Sequence, residues 1–298
     1  AKLGLMLVNQ TKNIGLKSIL NASGYKTIDS SAISFGVAPR LNACGRMGHA
    51  EKALQLFLSK NYNEVQNLTN ELNDYNKKRQ ETEKAIYESA IKQIESKNLD
   101  KNKTIIVGGE NWHHGVIGIV SSKITEMYFK PSILLCFDGE LGKGSGRSIP
   151  GFDLHEALSK CTNTIEKFGG HAMAIGITVR KDKVKEFEKQ FEQIANKSNI
   201  DKIIPIIKVD SKINLSEISK EMVESLKLLE PFGEGNKMPI FSFKNLRIDS
   251  IRALSEGKHL KLTLKDKNVI VNAIGFNIGN LVSEYKIGDK IDVAGVLE

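Results

Sequence analysis

Thr104-Ile-Ile-Val-Gly-Gly-Glu-Asn-Trp-His-His-Gly-Val-Ile-Gly-Ile119 is the stretch that decides the fold class. Its first four residues are mostly β-branched and read as a buried strand, while apolar positions from Val116 to Phe129 recur at helical spacing. A second strand, Ser132-Ile-Leu-Leu-Cys136, follows immediately. Outward from this strand–helix–strand unit the alternation continues. A glycine-rich strand is expected at 140–148, a helix from Asp153 to Phe168, a strand from Met173 to Val179 and a helix from Lys183 to Ala195. Residues 103–198 therefore read as an α/β domain with a covered sheet.

Upstream, Asn61 to Val107 contains no Gly and no Pro. Val65, Leu68, Leu72, Tyr75, Thr82, Ile86, Ala90 and Ile94 follow three-and-four spacing, which predicts one amphipathic helix of roughly 35 residues, about 50 Å long. It reads as a linker helix with one packed stripe in preference to a coiled-coil dimer. Residues 1–58 read as helical and loop-rich, with helices over Ile14–Ala22, ending at Gly24, and over Ala50–Leu58. Phe35–Gly48, rich in Gly and carrying Pro39, reads as a loop between them.

Downstream, a short strand at Ile206–Val209, a helix at Ser216–Leu229 and a turn at Glu230–Asn236 precede a strand-rich end. Ile240–Phe243, Leu246–Ala253, His259–Leu264, Val269–Phe276 and Lys290–Leu297 alternate like strands, with a turn at Asp266-Lys-Asn268. Together they predict a small β-barrel. Reaching Glu298 inside an apparent strand, and starting without Met, the sequence reads as a truncated chain.

With 298 residues, two or three domains fit. A content of 40% hydrophobic and 26% charged residues is that of a globular protein. No apolar run approaches the ~20 residues of a membrane span, and the start, Ala1-Lys2-Leu3-Gly4, does not show a charged n-region followed by an apolar h-region. Cys44, Cys136 and Cys161 lack CxxC spacing and read as reduced thiols of a cytoplasmic protein. A net charge of +8 favours a polyanionic partner.

Four segments carry candidate chemistry. In Gly142-Lys-Gly-Ser-Gly-Arg-Ser148, strand alternation puts Lys143, Ser145 and Arg147 on one face and three glycines on the other. Two cations and a hydroxyl suit phosphate oxygens; a hairpin tip is the bland reading. In Phe168-Gly-Gly-His-Ala-Met-Ala-Ile-Gly176, Gly169 is expected to end the preceding helix, and Gly170 allows backbone closed to other residues. His171 follows at a helix-to-strand turn, with Ala172, Ala174 and Gly176 as a small-residue face; structural and catalytic roles for it stand about level. Trp112-His-His-Gly115 lies at a helix N-terminus, where amides bind anions. Trp112 stacks on a base or fills a seam. Pro39–Arg46 places Arg40, Asn42 and Arg46 in one loop, for phosphate or for surface ion pairs. No Asp-x-Asp, Asp-His-His or other metal-ligand spacing occurs, and Asp138 and Glu140 read as solvated, so no metal site is expected within this chain.

These segments, together with Leu229-Glu-Pro-Phe-Gly-Glu-Gly-Asn236, resemble the RecJ family of the DHH phosphoesterase superfamily. The likeness runs through Ala38-Pro-Arg-Leu-Asn-Ala-Cys-Gly-Arg-Met47, Trp112-His-His-Gly-Val-Ile-Gly-Ile119, Lys143-Gly-Ser-Gly-Arg-Ser-Ile-Pro-Gly-Phe-Asp-Leu-His155 and Phe168–Gly176, in that order over nearly the whole chain. GGHxxAxG alone also occurs in cyclic-dinucleotide phosphodiesterases and, more loosely, in alanyl-tRNA editing proteins.

The resemblance implies an architecture: residues 1–58 as the tail of a DHH domain, 59–100 as a connecting helix, 101–198 as a DHH-associated α/β domain and 199–298 as an incomplete OB-fold β-barrel. It implies a 5′-to-3′ exonuclease of single-stranded DNA in recombination and mismatch repair, dependent on Mn²⁺ or Mg²⁺ held upstream of residue 1, so that the chain alone is inactive. Single-stranded DNA, a single-strand-binding protein and a helicase are the implied partners, and no membrane. Ser145 and Arg147, with Lys143 and Ser148, would hold the 5′ phosphate or nearby backbone, closed over by Arg40 or Arg46 beside Asn42. Gly169, Gly170 and His171 would line the cleft, with Trp112 and His113 close by, and the OB strands would offer a platform to the strand. Three positions depart from the family pattern: Cys44 for Ala, His49 for Asp and Ile175 for Ala, the last narrowing the small-residue face. A phosphodiesterase of short RNA or cyclic dinucleotides and a non-catalytic nucleic-acid-binding module are the alternatives. The OB-like end argues against the first.

Overall fold

The computed structural model describes every residue from Ala1 to Glu298. The chain divides into two compact units, Leu7–Pro205 and Ile206–Glu298 with Ala1–Met6.

Five helices open the chain: α1 (Lys2–Asn9), α2 (Ile14–Ala22), α3 (Ala38–Met47), α4 (Glu51–Leu58) and α5 (Tyr62–Ser96). The Asn13 side chain caps α2 by accepting from the Leu16 amide, and Gly24 follows the helix at φ +77°. The segment expected to be a loop, Phe35–Gly48, is helical as far as Met47 instead: a π-helical turn at Ala32–Val37 runs into α3. Pro39 is tolerated because it lies in the first turn of α3, where an amide needs no partner. Gly36 serves packing, since a β-carbon there would lie 2.8 Å from that of Ser23. Burying Val37 and Cys44 among Ile19, Leu20, Leu56, Val65, Leu68 and Leu72 overrides the poor helix propensity of the glycines.

Helix α5 spans 35 residues, as its spacing predicts. Its first half serves that helical core. Its second half, through Ile86, Ala90 and Ile94, packs on the α/β sheet. Between the two apolar stretches the buried positions turn polar, at Asn76 and Glu83. Glu83 receives Arg79 at 2.5 Å and Lys123 at 2.5 Å.

The sheet contains β1 (Ile105–Glu110), β2 (Ser132–Asp138), β3 (Leu141–Arg147), β4 (Lys167–His171) and β5 (Ala174–Arg180), in the order β1-β2-β3-β5-β4. Only β1 and β2 run parallel, joined by α6 (His114–Tyr128). One face packs on α7 (Leu154–Ser159) and α8 (Val184–Lys197), where Phe187 and Phe191 are fully buried against Ile133, Leu135, Ile175 and Ile177. Each such ring contributes about 1.5–3 kcal/mol by burial. The other face carries α6 and the second half of α5.

The helix expected over Asp153–Phe168 stops at Ser159. Thr164 closes a turn by donating its hydroxyl to the Cys161 carbonyl, and the chain then extends as β4. Gly169 consequently lies inside a strand and terminates no helix, and His171 ends that strand in a β-hairpin.

The second unit begins with β6, which is Ser211–Lys212 and not Ile206–Val209. Ile206, Ile207 and Val209 are exposed and outside regular structure. The expected Ser216–Leu229 helix is α9 (Lys220–Leu226) with a 3₁₀ turn at each end. Asn236 clasps the following turn by donating to the Leu229 and Pro231 carbonyls. The strands expected at 240–243 and 246–253 are one, β7 (Phe241–Leu254), which absorbs Asn245 at φ +59° and register shifts on both sides. With β8 (His259–Asp266), β9 (Val269–Gly275) and β10 (Lys290–Gly295) it forms an open sheet, β10-β7-β8-β9, with β6 beside β7. The expected barrel is thus not closed. Phe241, Phe243, Leu246, Ile248 and Leu264 form its core with Leu215. No helix of the chain is long and apolar enough to cross a membrane.

Candidate functional site

Strand β3 sorts its side chains as alternation requires. Gly142, Gly144 and Gly146 lie under Phe137, Leu135 and Ile177, and Ile175 and Ile133, so tightly that a β-carbon on any of them would approach a ring or methyl group within 2.8 Å. Only glycine lets the core close over this strand. The other face carries Lys143, Ser145 and Arg147.

Register extends that face across three strands. Arg147 pairs with Ala174 and Ala174 with His171; Ser145 pairs with Gly176 and Gly176 with Gly169; Lys143 pairs with Thr178 and Thr178 with Lys167. The middle row is nearly bare. A β-carbon on Gly169 would meet nothing within 4 Å, and one on Gly176 only the Gly169 carbonyl at 4.0 Å. The result is a strip floored by backbone and bordered by Arg147 and His171 on one side and Lys143 and Lys167 on the other. Gly170 is obligatory for a different reason: its φ is +142°, and a β-carbon would lie 2.3 Å from the Ala174 carbonyl. Ile175 points into the core on the opposite face, so it does not narrow the strip.

Helix α6 brings a second arginine to this face. Its Gly118 rests over Ser145 and Arg147, where a β-carbon would lie 3.0 Å from Ser145 Oγ and 3.3 Å from Arg147 Nη2. One turn earlier, Gly115 meets the backbone of Arg46, and Arg46 Nη1 donates to the Gly115 carbonyl at 3.0 Å. Glycines at i and i+3 thus admit both arginines to one side of α6. Arg147 Nη1 donates to Ser145 Oγ at 3.1 Å and to the Gly146 carbonyl at 2.8 Å. Burial first, and then the Arg46 charge, hold its pKa below the ordinary guanidinium value. Neither arginine, nor Lys143, forms a salt bridge. Two guanidiniums that repel one another without a carboxylate between them have the chemistry to receive an anion, and a phosphate offers matching oxygens.

Other expected residues have different employment. Arg40 donates to Asn73 Oδ1 at 2.6 Å and to the carbonyls of Gly36 and Ala22, so it ties α2 and α3 to α5 and is committed to the fold. Asn42 and Arg46, one turn apart on α3, are both exposed. Ser148 is buried and donates to the Phe152 carbonyl, away from the cationic face. Trp112 is half-buried, covers Gly109 and packs against the α6 core, so it fills a seam. His113 caps α6: its Nδ1 accepts from the Gly115 amide, and its carbonyl accepts from Val116 and Ile117. The Gly115, Val116 and Ile117 amides are thus engaged within the helix end. Of the family departures, Cys44 is buried and donates its thiol to the His49 carbonyl. Gly115 and Gly118, which position the two arginines, were not singled out in the sequence; their three-residue spacing on the predicted helix was the available signal.

Comparison with known proteins gives the class of this chain. Residues 101–197 match the family model of the DHHA1 domain, and residues 209–298 that of the RecJ OB domain. The single-stranded-DNA-specific exonuclease RecJ of Bacillus subtilis is 34% identical over 301 residues, covering 99% of this chain and 38% of that protein. RecJ of Thermus thermophilus is 32% identical, covering 99% and 41%. The crystal structure of Thermus thermophilus RecJ in complex with Mn²⁺ superposes with a TM-score of 0.83 at 30% identity, over 99% of this chain and 42% of that one. The chain belongs to the RecJ family and is a partial RecJ-like chain, spanning about two fifths of these relatives. Related structures hold Mn²⁺ or Mg²⁺. In this chain no three His, Cys, Asp or Glu side chains come together in an arrangement that could hold a metal ion.

Proposed function

We propose that this chain is the strand-gripping part of a metal-dependent exonuclease that degrades single-stranded DNA from the 5′ end in recombination and repair in the cytoplasm. The observation that carries this reading is the convergence of Arg46 and Arg147 beside Ser145 with no carboxylate partner. A terminal phosphate bears more charge than an internal one and suits two guanidiniums best. The bare strip of Gly169 and Gly176 gives the following nucleotides a floor without side chains, with His171 and Lys143 at its borders.

In this reading residues 1–58 are the tail of the DHH domain, 59–100 its connecting helix, 101–198 the associated domain and 199–298 the OB domain. The Mn²⁺ or Mg²⁺ that activates water is held by residues outside 1–298, and the chain alone binds without cleaving. A single-strand-binding protein and a helicase are its partners through the family likeness. The match of residues 209–298 to an OB domain of RecJ favours this over a phosphodiesterase of cyclic dinucleotides.

The test is anisotropy of the chain with 5′-phosphorylated and 5′-hydroxyl single strands in EDTA. Wild type should prefer the phosphate, and Arg147→Ala should lose that preference. Equal losses on both strands would remove the phosphate from this site.

A further inference from the structure

Helix α6 and strand β2 bury mainly apolar side chains against one another, among them Ile117, Val120, Ile124 and Leu134. Three hydroxyls are buried with them: Ser121 and Thr125 of α6 and Ser132 of β2. Apolar residues of the same size would fill this space without the cost of desolvating a hydroxyl. Ser121 Oγ donates to the Ser132 carbonyl at 3.1 Å, Ser132 Oγ to the Ser121 carbonyl at 3.0 Å, and the two hydroxyls lie 3.2 Å apart. Thr125 Oγ1 is 2.6 Å from Ser132 Oγ and 3.4 Å from the carbonyl oxygen of Arg147. A hydroxyl inside a helix ordinarily turns back to the carbonyl four residues earlier, as Thr69 does to Val65 and Ser122 to Gly118. Thr125 bonds to the sheet instead. Donation in one sense, Ser121 to Ser132, Ser132 to Thr125 and Thr125 to Arg147, uses every proton of the chain and ends on the Arg147 backbone.

Arg147 is thereby fixed to α6 at both ends. Its carbonyl meets Thr125, and its Nη2 lies 3.3 Å from the place of a β-carbon on Gly118. Two turns separate Gly118 from Thr125, about 10 Å of helix at 1.5 Å per residue. The side chain therefore runs along α6 toward the end where Arg46 donates to the Gly115 carbonyl. Gly115, Gly118, Ser121 and Thr125 form one stripe of that helix at three- and four-residue spacing. Just beyond Arg147, the Ser148 amide donates to the Met173 carbonyl at 3.0 Å and its hydroxyl to the Phe152 carbonyl at 2.7 Å. A long side chain delivers its charge only as accurately as its backbone is anchored.

We infer that Thr125, at the end of the Ser121–Ser132–Thr125 chain, is a positioning residue for Arg147. It sets the point at which the end of β3 meets α6, and with it the reach of the guanidinium along the helix toward Arg46. The inference rests on the reading of these arginines as a phosphate grip, and places the precision of that grip in buried hydroxyls that touch no ligand. A methyl group in place of the Thr125 hydroxyl leaves the Arg147 carbonyl without this donor and frees Ser132 to turn to Ser121 alone.

The experiment uses the whole chain as wild type, Thr125→Val, Thr125→Ser and, as control, Thr164→Val. Thr164 is also buried and bonds the Cys161 carbonyl in the same domain, away from the α6 stripe. The first readout needs no ligand. With isotope-labelled arginine, of which the sequence has seven, the order parameter of the Arg147 Nε–Hε group reports how firmly the side chain is held. It should fall in Thr125→Val, return to the wild-type value in Thr125→Ser and be unchanged in Thr164→Val. The second readout is the ratio of affinities for 5′-phosphorylated and 5′-hydroxyl oligothymidylate in EDTA. Thr125→Val should lower this ratio about fivefold, the worth of one neutral hydrogen bond, and Thr125→Ser should keep it. Wild-type order at Arg147 in Thr125→Val, no recovery in Thr125→Ser, or an equal loss in Thr164→Val overturns the proposal. So does a wild-type phosphate preference that Thr125→Val retains in full. Failure of the phosphate reading is distinct: wild type then shows no preference, while the order parameters still respond to Thr125.

Discussion

Gly115 of α6 and Arg46 of α3 are packed so closely that a β-carbon on the glycine would lie 2.4 Å from the Arg46 carbonyl oxygen. Backbone meets backbone here, so neither side can yield by rotating a side chain. Gly115→Ala should force α3 away from α6. The overpacking cost of about 1–3 kcal/mol exceeds the roughly 1 kcal/mol that alanine gains within a helix. A net loss of about 1 kcal/mol in urea unfolding is expected, together with loss of any preference for 5′-phosphorylated strands.

Gly118 offers a contrast one turn later. A β-carbon there meets only the ends of Ser145 and Arg147, which can swing aside. Gly118→Ala should leave stability unchanged or raise it by up to about 1 kcal/mol. Preference for the phosphorylated strand should nevertheless fall severalfold, because Arg147 no longer rests against the helix. A binding ratio equal to wild type would show that the guanidinium position does not matter.

Arg40 separates fold from site within one segment. Its three donated bonds satisfy Asn73 and two carbonyls, of Gly36 and Ala22. Arg40→Ala should cost about 2–3 kcal/mol through the groups left unpaired. The ratio of affinities for phosphorylated and hydroxyl strands should be that of wild type under conditions where the variant is folded. A selective loss for the phosphorylated strand would return Arg40 to the site.

The periodicities that sequence displays openly are those of long or strictly alternating elements. The stripe from Val65 to Ile94 specified α5, and Lys143-Gly-Ser-Gly-Arg147 specified both faces of β3 before any neighbour was known. What stayed hidden depended on partners distant in sequence. Gly36 and Gly48 read as loop residues, yet each is small because Ser23 or Tyr75 occupies the space of a side chain. The Thr162-Asn163-Thr164 turn cut short a helix whose apolar pattern continued to Phe168. The roles of Ser148 and Trp112 were likewise set by burial, which spacing alone does not reveal.

Glu83 tests the polar middle of α5. Its carboxylate is buried and receives both Arg79 and Lys123, which pins α6 to the long helix. Removing one partner of a fully buried pair costs about 3–5 kcal/mol. Lys123 is half-exposed and can recover water, so Glu83→Ala should cost nearer about 2 kcal/mol. Urea denaturation of Glu83→Ala beside Lys84→Ala, whose i,i+4 pair with Glu88 is exposed, should separate the two by at least about 1 kcal/mol. Equal stabilities would mean that the apolar stretches on either side hold α5 without this clamp.

Cys161 gives stability a pH dependence with a definite sign. The residue is fully buried between α7 and α8, and burial pushes its thiol from 9.0 up to about 11. Above pH 9 the unfolded chain releases this proton while the folded chain keeps it, so the unfolded state gains. The stabilisation is complete below pH 9 and is lost progressively as pH rises toward 11, by about 3 kcal/mol in all. Lysines and tyrosines titrate over the same range, so the comparison is with Cys161→Ala. That variant should start less stable at pH 8, through its lost packing, and decline less steeply between pH 9 and 10.5. Parallel curves would show that the thiol stays protonated in the unfolded chain or ionises in the fold.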